Sequence, residues 1–163
     1  MKVNYTTHCH WMGRALKRAQ VAGEAGEVPV GAVIVGGDGE LIAEAENRRE
    51  RDRDPTAHAE MLALREAGRI LGDWHLDTCT LYVTLEPCPM CAGAIVQARI
   101  PLLVYGADDP KTGTIRTVMN LPDSAVSFHR PGVLGGILEG KCRDQLQTWF
   151  AQHRQDNPRS VLE

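Results

Sequence analysis

The chain has 163 residues, enough for one compact domain with its own core and short for two. Hydrophobic residues make up 43% and charged residues 24%, ordinary globular values that exclude a disordered, collagen-like or coiled-coil chain. Lys and Arg number 18 against 21 Asp and Glu, a formal charge of −3, which argues against a DNA-coating or polybasic membrane protein but leaves room for a local basic patch.

In chain order, apolar Trp11, Met12, Ala15, Leu16 and Ala19 recur at helical spacing and predict a helix from Thr6 to Ala25, ended by Gly26. Val28 to Val35 is short and rich in β-branched residues and reads as a buried strand. A glycine-rich turn follows, and Leu41 to Glu46 returns as a second strand of an antiparallel hairpin. Asn47 to Pro55 is polar and reads as a loop. Thr56 is placed to cap a helix running to about Ile70. Thr80 to Thr84 is a third strand, broken by Pro87. Pro89 suits the first position of a helix reaching Arg99. Pro101 to Tyr105 is a fourth strand, and Asp108 to Arg130 has no clear pattern. Val133 to Leu138 is a candidate fifth strand. A stripe of Leu138, Cys142, Leu146, Trp149 and Phe150 marks a last helix that Asn157-Pro158 would end. This order predicts a three-layer α/β/α domain over 1–163, with a central mixed sheet of about five strands and helices on both faces.

No apolar run is long enough to span a bilayer, and the first ten residues carry no secretory signal, so no membrane association is expected. Five cysteines, an odd number, argue against a disulfide framework and for a reducing cytoplasm.

Two of the cysteines form Pro87-Cys-Pro-Met-Cys91, at a predicted helix start. Thiolates at that spacing suit zinc, and a helix N-terminus favours the thiolate. His58, in His58-Ala-Glu60, can supply a third, imidazole ligand and leave one position open for water. Glu60 shares a site with His58 only if that site lies off the end of the helix, because i and i+2 do not share a helix face. There Glu60 would carry protons and not bind metal. A redox Cys-x-x-Cys pair, and a closed structural zinc site with a fourth ligand from Cys9, His75, Cys79 or Cys142, are the bland alternatives. His8-Cys9-His10 reads as a helix start or a weak surface site. The pair H-x-E and P-C-x-x-C is known as the signature of zinc-dependent nucleobase deaminases.

Along nearly its whole length the chain resembles the bacterial tRNA-specific adenosine deaminases. The matching stretches are Glu27 to Ala32, Asn47-Arg48, Asp54 to Glu60, Thr84 to Gly93 and Gly106 to Gly113. The resemblance implies a cytidine-deaminase-like fold, one zinc ion per chain, a homodimer whose site borrows residues from the partner, and conversion of the wobble adenosine of a tRNA anticodon stem-loop to inosine. It also implies roles. Asn47 would meet the purine edge, Val30 and Ala57 would line the base pocket, and Asp109 would meet the ribose or backbone. Lys111 would meet a phosphate, and Phe150 and Arg154 would flank the RNA loop. Arg48, Arg49, Arg51 and Arg53 could extend that basic face. Two features depart from the family: Phe128 stands where Asn often precedes a histidine, and the tail after Phe150 is thinly basic. A deaminase of free nucleosides or bases shares the zinc core and remains an alternative. So does a zinc-stabilised RNA-binding module without catalysis, which would have no use for Glu60.

Overall fold

The computed structural model describes residues 4–153. Among them the chain forms α1 (Tyr5–Glu24), β1 (Gly31–Val35), β2 (Leu41–Glu46), α2 (Arg49–Asp52), α3 (Ala59–Leu71), β3 (Thr80–Leu85), α4 (Pro89–Gln97), β4 (Leu102–Ala107), β5 (Gly132–Leu134) and α5 (Glu139–His153). The five strands lie in the order β2-β1-β3-β4-β5. β1 is antiparallel to both β2 and β3, while β3, β4 and β5 run parallel. The sheet is therefore mixed, as expected, and the two β-α-β steps through α3 and α4 join parallel strands.

Alternation along β1 shows why there are three layers. Ala32 and Ile34 pack with Ala63 and Ala67 of α3 and Ala92 and Ile95 of α4. Val33 and Val35 point the other way and pack with Met12 and Ala15 of α1 and Cys142 of α5. Successive side chains of a strand face opposite sides, so a strand covered on both faces must be apolar throughout. β1 is buried along its whole length. At Gly31 a Cβ would collide with the backbone of Ala15 and Ala19, so the crossing of α1 over β1 requires glycine there.

Several boundaries differ from the sequence expectation, each for a local reason. β1 begins at Gly31 and not Val28, because Pro29 has no N–H and the Val30 N–H turns back onto the Val28 carbonyl at 2.9 Å. The expected loop after Asn47 contains the short α2, whose Glu50 and Arg51 N–H groups donate to the buried Glu27 carboxylate at 3.1 and 2.7 Å. Thr56 is not the cap of α3. Its N–H and hydroxyl donate to Asp54 at 2.8 and 2.7 Å, and His58 is the residue at the helix start. α4 stops at Gln97, and Arg99 turns away at φ 58°. β5 is only Gly132–Leu134, since Gly136 and Leu138 take positive φ. Residues 108–130 form no helix or strand. Cys142 and Leu146 are buried as the stripe predicts, but Phe150 of α5 is 41% exposed. Among the described residues no helix is long and apolar enough to cross a membrane.

Candidate active site

His58 and Cys88 occupy equivalent positions. Each is the residue just before a helix, with extended backbone and no side-chain bond to the helix end. A small polar residue there would spend its side chain on capping; these two turn theirs elsewhere. Pro89 starts α4 at a position that tolerates a missing N–H, and Cys91 lies one turn in. His58 Nδ1 is 3.7 Å from Cys88 Sγ and 3.6 Å from Cys91 Sγ. All three donor atoms lie within 4.8 Å of one another.

This donor set fits zinc. Ordinary Zn–S and Zn–N bonds at a tetrahedral angle place nitrogen and sulfur about 3.6 Å apart. Among the described residues no further His, Cys, Asp or Glu joins the group. The alternatives for a fourth ligand are placed elsewhere: Cys79 and Cys142 lie in the two core clusters, Cys9 packs against the second of them, and His75 stacks on Trp74 and meets Asp73 at 3.0 Å. His8 is bonded to the Tyr82 hydroxyl at 3.1 Å, which accounts for one of the three residues in the His8-Cys9-His10 run.

Hydrogen bonding with Cys91 holds the Cys88 thiol down to about 4, and His58 adds to the effect. Cys88 in turn pushes Cys91 up, as does burial. The bond to Cys88 raises the imidazole of His58. The two sulfurs thus favour one thiolate, ready for a cation. Glu60, 4% exposed, sits at the second position of α3. Burial pushes its carboxyl up to about 7. The sequence objection to His58 and Glu60 serving one site is met: His58 is outside the helix and the site lies off its end.

His58, Glu60 and Cys88 open into a cavity of about 150 Å³, with Cys91 buried behind them. It is smaller than the roughly 300–1,000 Å³ of drug-sized clefts. Val28, Val30, Asn47 and Arg49 form one wall; Asp109 and Thr112 form another; His58, Ala59, Glu60, Leu85, Glu86 and Cys88 complete it.

The structure places Asn47, Val30 and Asp109 in the lining of the cavity. The Asn47 amide donates to the Val28 carbonyl at 3.2 Å, and its oxygen accepts from the Arg49 N–H at 3.3 Å. Ala57 is fully buried and is not among the residues that line the cavity. Its backbone closes the loop instead, bonded to Asp54 and Arg48. Lys111 is exposed two residues past Asp109 and lies outside the cavity lining. Phe150 is on α5, in the layer that also holds α1, and does not reach the cavity. Arg154 lies outside the described residues. Of the four arginines, only Arg49 lines the cavity. Arg48 is paired with Asp52 at 2.9 Å and Arg51 with Glu46 at 3.3 Å, so both are committed to internal ion pairs. Sequence reasoning missed Glu86, Thr112, Val28, Leu85 and Ala59. The one hint was a Glu placed directly between an apolar strand and Pro87.

The MafB19-like deaminase family matches residues 6–140. A tRNA-specific adenosine deaminase of Bacillus subtilis (strain 168) is 49% identical over 88% of this chain and 89% of its own length. A solved structure from a study of A-to-I editing by tRNA:A34 deaminases at the wobble position of transfer RNA is 45% identical, with a TM-score of 0.81 over 83% of this chain and 98% of that one. A guanine deaminase from Nitrosomonas europaea is more distant, at 26% identity and a TM-score of 0.74 over 88% of this chain and 84% of its own.

Proposed function

The chain belongs to the tRNA-specific adenosine deaminases, and from that premise we propose how its residues convert the wobble adenosine of a tRNA anticodon to inosine. The observation that carries the reading is a buried carboxyl, Glu60, held near neutral pH beside a His-Cys-Cys group in a small cavity.

His58, Cys88 and Cys91 would hold zinc. Bound there, zinc supplies a Lewis acid that makes water a good nucleophile near neutral pH. Glu60 takes a proton from the water that attacks C6 of the adenine and delivers it to N1. It then moves the second proton to the departing amine, so that the C6–N bond breaks and ammonia leaves. A carboxyl near pH 7 is suited to both directions of transfer. Val30 and Asn47 receive the base, Asn47 at the purine edge. The base must be turned out of its stack, which costs least in an unpaired anticodon loop. The rest of the nucleotide stays at the rim, where Asp109 meets the ribose or backbone and Lys111 a phosphate. Phe150 and Arg154 flank the RNA loop.

The same reading extends to a homodimer in the cytoplasm. Sedimentation of the purified protein tests this, and a monomer at micromolar concentration refutes it.

Deamination of a free base is the second reading, favoured by the likeness to a guanine deaminase. The deciding experiment offers the enzyme an anticodon stem-loop with adenosine at the wobble position and, separately, free nucleosides and bases. Inosine in the stem-loop is expected. Turnover of the free compounds alone would overturn the tRNA assignment.

A further inference from the structure

One wall of the cavity has no secondary structure of its own. Residues 109–117 form neither helix nor strand, and they carry Asp109 and Thr112 into the lining. What holds them is Glu86, the residue after β3, which is 2% exposed. Its Oε1 accepts from the backbone N–H groups of Ile115, Arg116 and Thr117 at 3.1, 2.8 and 3.0 Å. Its Oε2 accepts from the Asp109 N–H at 3.0 Å and from the Thr117 hydroxyl. Five donors converge on two oxygens, an arrangement only a carboxylate satisfies. Asp109 is then fixed from both ends. Its N–H is held by Glu86, and its own carboxylate accepts from the Lys111 and Thr112 N–H groups at 2.9 and 3.2 Å and from the Thr112 hydroxyl at 2.7 Å. A Cβ at Gly113 would collide with Glu86 Oε2 and the Asp109 carbonyl, so the loop wraps directly on the carboxylate.

We propose that Glu86 is a positioning residue that builds the substrate-side wall: it pins residues 109–117 so that RNA meets Asp109 and Lys111 already in place. The inference rests on the proposed contact of those two residues with the nucleotide outside the base. Its physical content is preorganisation. A loop ordered in advance need not be ordered at the moment of binding. Glu86 lines the cavity but takes no part in proton transfer, because both oxygens are already filled by donors of the protein itself.

Glu86→Gln tests this. With its oxygen kept on the three N–H groups of 115–117, the new amide faces the Asp109 N–H, donor against donor. The Thr117 hydroxyl can turn and accept; the Asp109 N–H cannot. Losing that one buried bond should raise KM for the stem-loop about tenfold, with kcat within about threefold and the zinc content of the wild type. Amide hydrogen exchange should speed up at Asp109 and stay unchanged in β3. If Glu86→Gln fails to fold, Gly113→Ala, which forces the loop off the carboxylate, should give the same rise in KM. A fall in kcat with KM unchanged would place Glu86 in the chemistry and overturn the proposal. So would wild-type kinetics with only a lowered Tm. If the wild type itself leaves the stem-loop untouched, the functional reading fails, while exchange at Asp109 still reports on the loop.

Discussion

Replacing Glu60 with Gln separates proton transfer from metal binding. The two side chains are nearly the same size, so the cavity keeps its shape, and His58, Cys88 and Cys91 keep their donor atoms. What is lost is a group that can gain and release a proton near pH 7. A single positioned acid–base group contributes about 10²–10⁴-fold, and Glu60 serves two transfers in one turnover. No other lining residue can stand in for it. Glu86 is saturated with donors, and Asp109 is engaged by Lys111 and Thr112. The expected fall in kcat is therefore about 10⁴-fold, or about 5.5 kcal/mol on the barrier. Inosine formed in the stem-loop, measured at saturating substrate, gives kcat; metal analysis on the same sample should still find about one zinc per chain, as three intact ligands require. Turnover within tenfold of the wild type refutes the proton-carrier role. Loss of zinc refutes the separation of Glu60 from the metal group.

Cys88→Ser and Cys91→Ser should each abolish zinc retention and activity, whereas Cys9→Ser should change neither; metal analysis after dialysis checks all three, and retained zinc in Cys88→Ser removes it from the ligand set. Phe150→Ala should leave stability nearly unchanged, because the ring is 41% exposed, yet weaken stem-loop binding by the roughly 1–3 kcal/mol of one base–aromatic stack. Unaltered binding takes Phe150 out of the RNA surface. Acid should expose the role of Glu46. Burial pushes its carboxyl up, but Arg18 and Arg51 outweigh that and hold it below its ordinary 4.5. Its folded-state value is thus lower than its unfolded one. The stability it contributes is present above pH 4.5 and is lost as pH falls through the folded value. Urea midpoints between pH 6 and 3 should fall less steeply in Glu46→Gln than in the wild type, and parallel slopes contradict the pairing.

Much of this molecule is legible in the order of its residues, and the illegible parts share one physical character. β2 spans Leu41–Glu46 as its short strand-like segment predicts, and α1 follows its helical spacing, because both signals are local. His58, Glu60, Cys88 and Cys91 stand out because metal and proton chemistry is written in residue type and spacing. The walls of the cavity are written in neither. Glu27 caps α2 through N–H groups 23 and 24 positions away, and Glu86 gathers donors 23 to 31 positions away. A glutamate in a sequence reads as surface, since carboxylates are almost never fully buried unless satisfied, and nothing nearby shows that these are.

That same blindness affects the charge. Among the described acidic residues, Glu27, Glu46, Glu60 and Glu86 are buried. Glu27 and Glu46 face Arg51 and Arg18, Glu86 faces backbone donors, and Glu60 sits near its midpoint at pH 7. The formal −3 counts them equally with the exposed acids that RNA would meet. Nor are all the arginines after Asn47 available to phosphate, since Arg48 and Arg51 are engaged by those acids and by Asp52. The proposed grip on RNA therefore depends on a few rim positions: among the described residues Lys111, and Arg49, whose exposed pair with Glu50 at 3.4 Å a phosphate would have to displace. With so few phosphates neutralised, affinity should fall with salt on a shallow slope, about 0.7 log units per tenfold salt for each contact on a single strand. A slope equivalent to six or more phosphates would mean that a basic surface elsewhere carries the binding.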